Sequence, residues 1–212
     1  MQRTSRWIGA GLLFVFGTAP MFAATTELIR NDKVIVTEET LAPGQQETVA
    51  GEHASVVVFL SGDGVQAKFP DGAVKIAAVH RGELMNEAAG RRIVTNAGQA
   101  PLKLVRVEFL TAGSDETWGM TGLPPNYKVL VEDRHSRTYE ILIAAHAWEP
   151  QHTHHARVVV CLSGAQLEHV LPDGSVQPST LKTDEVAWRP GQTHKGHNLG
   201  DTELCVIAIE PK

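Results

Sequence analysis

His152-Thr153-His154 places two imidazoles two positions apart. On a strand, side chains at i and i+2 share a face about 7 Å apart along the backbone, so both can reach one ion on a concave sheet. His194 follows 40 residues after His154, behind Arg189-Pro190-Gly191-Gln192-Thr193. A rolled sheet would bring it in from another strand as the third ligand. Three neutral imidazoles with open coordination positions suit a divalent transition metal: Fe(II), Mn, Zn, Ni or Cu. Of the ten histidines in 212 residues, eight lie beyond residue 130, so this chemistry belongs to the second half of the chain.

Such a set leaves the +2 ion without a neutralising carboxylate. Arg157 and Arg189 would add positive charge if they face the cavity. A bound cation is often the largest local charge, so the expected partner is a small anionic molecule, a carboxylate bound directly to the metal. His146, His155, Arg157 and His197 are candidate cavity-lining or ligand-supporting groups, with solvent-facing positions the simpler expectation for His155 and His197. His135 and His169 read as surface residues, and Trp148 and Trp188 as core or cavity lining.

The elements that must position these residues come from a repeat. Val56-Val57-Val58-Phe59-Leu60-Ser61-Gly62 recurs as Val158-Val159-Val160-Cys161-Leu162-Ser163-Gly164, with six of seven residues identical. Pro70-Asp71-Gly72 recurs as Pro172-Asp173-Gly174, and Asn96 as Asn198, all at one offset of 102. Lys33-Val34-Ile35-Val36 resembles Lys128-Val129-Leu130-Val131 at an offset of 95, which predicts about seven extra residues near Arg134–Tyr139 in the second copy. The Gly- and Pro-rich segment Gly119–Asn126 joins the copies. Each copy reads as antiparallel sheet: β-branched apolar runs at Val56–Leu60 and Val158–Leu162, Pro-Asp-Gly turns, and closing strands at Leu102–Phe109 and Leu204–Ile209. No long stretch has helical periodicity. The fold class is all-β, and apolar residues on both faces of the Val57 and Val159 strands predict an apolar interface between the units.

A net charge of −5 and 42% hydrophobic residues describe an ordinary globular chain, and a pI near 6.0 gives no basic surface for nucleic acid. Arg3 and Arg6, the apolar run Trp7–Phe16 and the small residues Ala23-Ala24 have the order of a secretory signal. Cleavage after Ala23 or Ala24 would leave a periplasmic or secreted protein with no membrane segment. Cys161 and Cys205 fall on apolar strands as buried thiols, and an oxidising compartment would permit them to pair.

These motifs resemble the cupin superfamily. Its first motif reads Gly-x5-His-x-His-x3,4-Glu-x6-Gly and its second Gly-x5-Pro-x-Gly-x2-His-x3-Asn. His152-Thr-His154 and Gly164 match the first. Pro190-Gly191-Gln-Thr-His194-Lys-Gly-His197-Asn198 matches the second, with one residue fewer between Pro and Gly. The resemblance covers essentially the whole mature chain as a bicupin. It implies two tandem jelly-roll β-barrels after an N-terminal signal peptide: signal 1–24, degenerate barrel 25–118, linker 119–127, and metal-binding barrel 128–212. It also implies metal ligands His152, His154 and His194.

The departures are specific. Arg157 stands where the acidic ligand belongs, and the opening glycines are replaced by His146 and Asp184. The first copy keeps Gly44 and Gly82 but has Ala50, Glu52, Ser55 and Arg92 at the ligand positions. Glu52, His53 and His80 remain there as groups for a weaker site. The function expected is that of a three-His, dioxygenase-like enzyme, or of a non-catalytic binder of a small molecule or sugar acid with the metal as anchor. Exposed sheet edges and the habit of the family point to a homodimer.

Overall fold

A computed structural model describes residues 23–212. The signal segment falls almost wholly on residues 1–22, outside the described residues. The described residues form eighteen strands and no helix. In the first half these are β1 (Ala24–Arg30), β2 (Val34–Leu41), β3 (Gln46–Val49), β4 (Ser55–Ser61), β5 (Val65–Lys68), β6 (Val74–Ala77), β7 (Leu84–Glu87), β8 (Arg92–Asn96) and β9 (Leu102–Phe109). The second half has β10 (Lys128–Glu132), β11 (Ser136–Ile143), β12 (His152–His154), β13 (Arg157–Ser163), β14 (Ala165–Val170), β15 (Val176–Leu181), β16 (Val186–Arg189), β17 (Gln192–Asn198) and β18 (Leu204–Pro211).

Each half is one antiparallel double sheet. A five-stranded sheet, β1-β2-β9-β4-β7, faces a four-stranded one, β3-β8-β5-β6; the second half repeats this as β10-β11-β18-β13-β16 and β12-β17-β14-β15. This is the all-β, two-barrel architecture expected from the repeat.

The repeat is stricter than the sequence suggested. Thr26 pairs with Glu38, and Lys128 with Glu140, at the same offset of 102. The register shift at Glu27/Ile29 recurs at Val129/Val131, and that at Phe59/Ser61 recurs at Cys161/Ser163. The second copy therefore has no seven-residue insertion. Val34–Val36 lies on β2, whereas Lys128–Val131 lies on β10, the counterpart of β1. A Lys-Val-x-Val run is generic strand alternation and carries no register.

Strand alternation divides the apolar residues among three cores. Val56, Val58, Val158, Val160, Ile207 and Ile209 meet between the two five-stranded sheets. Val57 and Phe59 turn into the first barrel, and Val159 and Cys161 into the second. The expected apolar interface is present, formed by the neighbours of Val57 and Val159. Arg81 fastens it, donating to the Leu60 and Leu162 carbonyls at 2.8 Å and to Asp184 Oδ1 at 2.5 Å. Cys161 and Cys205 are free thiols; Cys161 pairs with Val206 across the ladder and Cys205 with Ser163.

Candidate metal centre

Strand β12 pairs with β17 so that His152 lies opposite His194. His152, His154 and His194 are all buried, and their ligand atoms lie within 4.8 Å of one another. Among the described residues this is the group of side chains gathered to hold a metal. In the first copy, His80 is exposed beside Glu83.

Each imidazole is held by its Nδ1 edge. His152 Nδ1 donates to the Pro150 carbonyl at 2.8 Å, and His194 Nδ1 to Gln192 Oε1 at 3.1 Å. His154 Nδ1 lies 2.8 Å from the Tyr139 hydroxyl. That hydroxyl spends its one proton on Glu210 Oε1 at 2.9 Å, so His154 must be the donor to Tyr139. Glu210 is fixed in turn by the buried Arg137, which donates from Nη2 at 2.5 Å and also to the Gly119 and Thr121 carbonyls. Occupied Nδ1 protons leave all three Nε2 atoms as lone pairs. His152 Nε2 and His154 Nε2 face each other at 2.9 Å. Two acceptors at that distance repel without a cation between them, and this donor set fits a divalent transition metal. Burial, reinforced by the Arg157 charge, holds His152 and His154 below the ordinary imidazole pKa; burial also lowers His194, to about 3. Neutral imidazoles are the ligand form.

His154 and His194 open onto a cavity of about 240 Å³ inside the second barrel. Arg157 lines it, 7% exposed, and its Nε has no hydrogen-bond partner. Arg189 lines the half-exposed mouth. Glu149 enters from the turn before β12; it is buried, and its Oε1 makes no hydrogen bond. Burial pushes its carboxyl up to about 7, against the opposing pull of Tyr127, Asn126 and Arg157. Gly196 makes room for it, because a Cβ there would sit 2.4 Å from Glu149 Oε2.

The other candidates separate by strand face. His155 is exposed and stacks on Trp118, with only its backbone amide reaching Glu210. His197 faces away from the cavity, stacked on Trp148 and paired with Glu168. His146 is exposed beside Asp201. These three do not line the cavity, because alternation turns His155 and His197 opposite to His154 and His194. His169, expected at the surface, instead lines the cavity and stacks on His194 with ring centroids 4.3 Å apart; burial lowers its pKa to about 4. Trp148, expected in the core or cavity lining, is exposed. Glu149, Tyr139 and Glu210 were missed. Glu149 has a counterpart at the repeat offset, Glu47, which is the signal that could have found it.

The first barrel has charge at its centre in place of histidines. Arg92 takes the place of His194, and with Arg106, Glu39 and Glu87 it forms a buried ion cluster. At the repeat offset Glu39 corresponds to Ile141 and Arg106 to Ala208, so the second barrel is apolar where the first is charged.

The fold is shared with solved structures. One is a cupin 2 conserved barrel domain protein from Leptotrichia buccalis, with 14% identity, TM-score 0.61 and 93% of each chain covered. AerE from Microcystis aeruginosa has 16% identity and TM-score 0.63, covering 90% of this chain and 98% of that one. The oxalate decarboxylase of Lactobacillus farciminis, solved as a formate complex, has 13% identity and TM-score 0.66, covering 92% and 83%. No protein-family model matches the chain. No curated protein sequence matches it. The chain has the cupin fold in its bicupin form, two tandem jelly-roll barrels. Its candidate metal centre lies in the C-terminal barrel.

Proposed function

We propose that the chain is a metal-dependent enzyme working outside the cytoplasm on a small carboxylate. The observation that carries this reading is the convergence of three Nε2 lone pairs beside the buried Arg157, whose Nε has no hydrogen-bond partner and whose Nη1 reaches only the His155 and Pro190 carbonyls. A divalent ion held by His152, His154 and His194 would supply Lewis acidity or, as Fe(II), dioxygenase-type oxidation. Arg157 stands where the family's acidic ligand would be; it cannot ligate a metal, but it can receive an acid. Glu149 can hold or release a proton near neutral pH at the cavity wall, the role for which the sequence offered no clear group. The Arg137–Glu210–Tyr139 chain holds His154 in the ligating tautomer. Non-catalytic capture of a small molecule or sugar acid is the second reading, because Arg157 and a metal suffice for binding.

Calorimetry of the Zn(II)-loaded protein tests the site: acetate is expected to bind and acetamide not, with Arg157→Gln weakening acetate about tenfold or more. Equal affinity for acetate and acetamide would overturn the reading. Substrate-dependent O2 uptake by the Fe(II)-loaded protein separates oxygenation from capture.

A further inference from the structure

The walls of the cavity constrain the ligand beyond its charge. Apart from the histidines, Arg157, Glu149 and Tyr127, the buried lining is apolar, with Ile141, Ile143, Leu167, Leu181, Leu204 and Val206 all part of the second barrel's own core. None of these side chains can hydrogen-bond. Gln177, Ser179 and Gln192 stand at the exposed or half-exposed mouth. The cavity is therefore two-ended, with a cationic pole at the metal centre and Arg157 and an apolar pole in the barrel. The apolar pole exists because Ile141 and Ala208 replace the ion-paired Glu39 and Arg106 of the first barrel. A volume near 240 Å³ is smaller than the roughly 300 Å³ at which drug-sized pockets begin.

We infer that the ligand is a monocarboxylate with a compact apolar body, its acid group at Arg157 and the metal centre and its hydrocarbon in the barrel. This rests on the carboxylate reading above and narrows it. A dicarboxylate would either bury its second charge without a partner or forgo the apolar wall, and an unpaired buried charge is strongly disfavoured. The ligand class thus differs from oxalate, the acid in the name of some structures sharing the fold.

The test is calorimetry of the full-length Zn(II)-loaded protein, its metal content verified beforehand, with acetate, cyclohexanecarboxylate and succinate. Cyclohexanecarboxylate is expected to bind at least about tenfold more tightly than either of the others, from the apolar surface it buries. If acetate binds and cyclohexanecarboxylate is no tighter, the apolar body is wrong and the carboxylate reading stands. Succinate equal to or tighter than cyclohexanecarboxylate likewise overturns the inference. If none of the three binds the metal-loaded protein, both fall.

Discussion

Tyr139 Oη lies 2.8 Å from His154 Nδ1 and accepts its hydrogen bond, donating in turn to Glu210 Oε1. One phenol thereby fixes which nitrogen of His154 faces the other ligands. Groups that orient a ligating histidine matter to affinity almost as much as the ligand itself. Tyr139→Phe is expected to weaken metal binding about 10–100-fold, read by competition with a chelator, while circular dichroism keeps its sheet signature. Unchanged affinity would mean that His154 needs no such support.

Glu149 sets a pH dependence of stability. Its carboxyl titrates near 7 in the fold and near 4.5 when exposed. The folded chain therefore holds the proton longer, and the associated stability is fully present below pH 4.5 and lost as pH rises through 7. In metal-stripped protein, Glu149→Gln should gain stability relative to the parent between those limits, on the order of 3 kcal/mol at pH 8. Urea unfolding across pH 4–8 checks this, and parallel curves for the two proteins would contradict it.

His146 and Asp184 have φ values of 59° and 67°, the only non-glycine residues in the left-handed region among those described. They stand where the first copy has Gly44 and Gly82, at φ 74° and 83°. His146 makes only an exposed contact with Asp201. His146→Gly should stabilise the protein by about 0.5–1 kcal/mol as left-handed strain is relieved, net of the freedom glycine adds to the unfolded chain. A loss of stability would show that the His146 side chain holds the turn.

Glu87 accepts from both Arg92 and Arg106 at the centre of the first barrel. Glu87→Ala would leave the buried Arg92 without a carboxylate partner, while Arg106 keeps Glu39, and should cost about 3–5 kcal/mol in denaturant unfolding. A cost under about 1 kcal/mol would mean that the cluster is solvated.

The clustering of His152, His154 and His194 was legible because two of them obey the period of a strand and the third sits in a motif with a fixed turn. The interface between barrels was legible because runs such as Val56–Leu60 are apolar at both parities. The left-handed positions at His146 and Asp184 could be placed by their alignment with glycines. Other features depend on curvature that local sequence does not encode. Glu149 and His169 reach the cavity only because the sheets roll, and Arg157 is buried only because the barrel closes over it. The outward direction of His155 and His197 was available from alternation, since each lies an odd number of residues from a ligand. The start of the second copy was misread because four residues of strand alternation fit two adjacent strands equally well.

The most direct measurement is the metal content of the protein, after exposure to Fe(II), Mn, Ni, Cu or Zn, beside a His152→Ala/His154→Ala double variant. About one ion per chain in the parent and none in a folded variant is the predicted result. A parent that takes up no metal, or a variant that keeps it, would contradict the three-histidine centre.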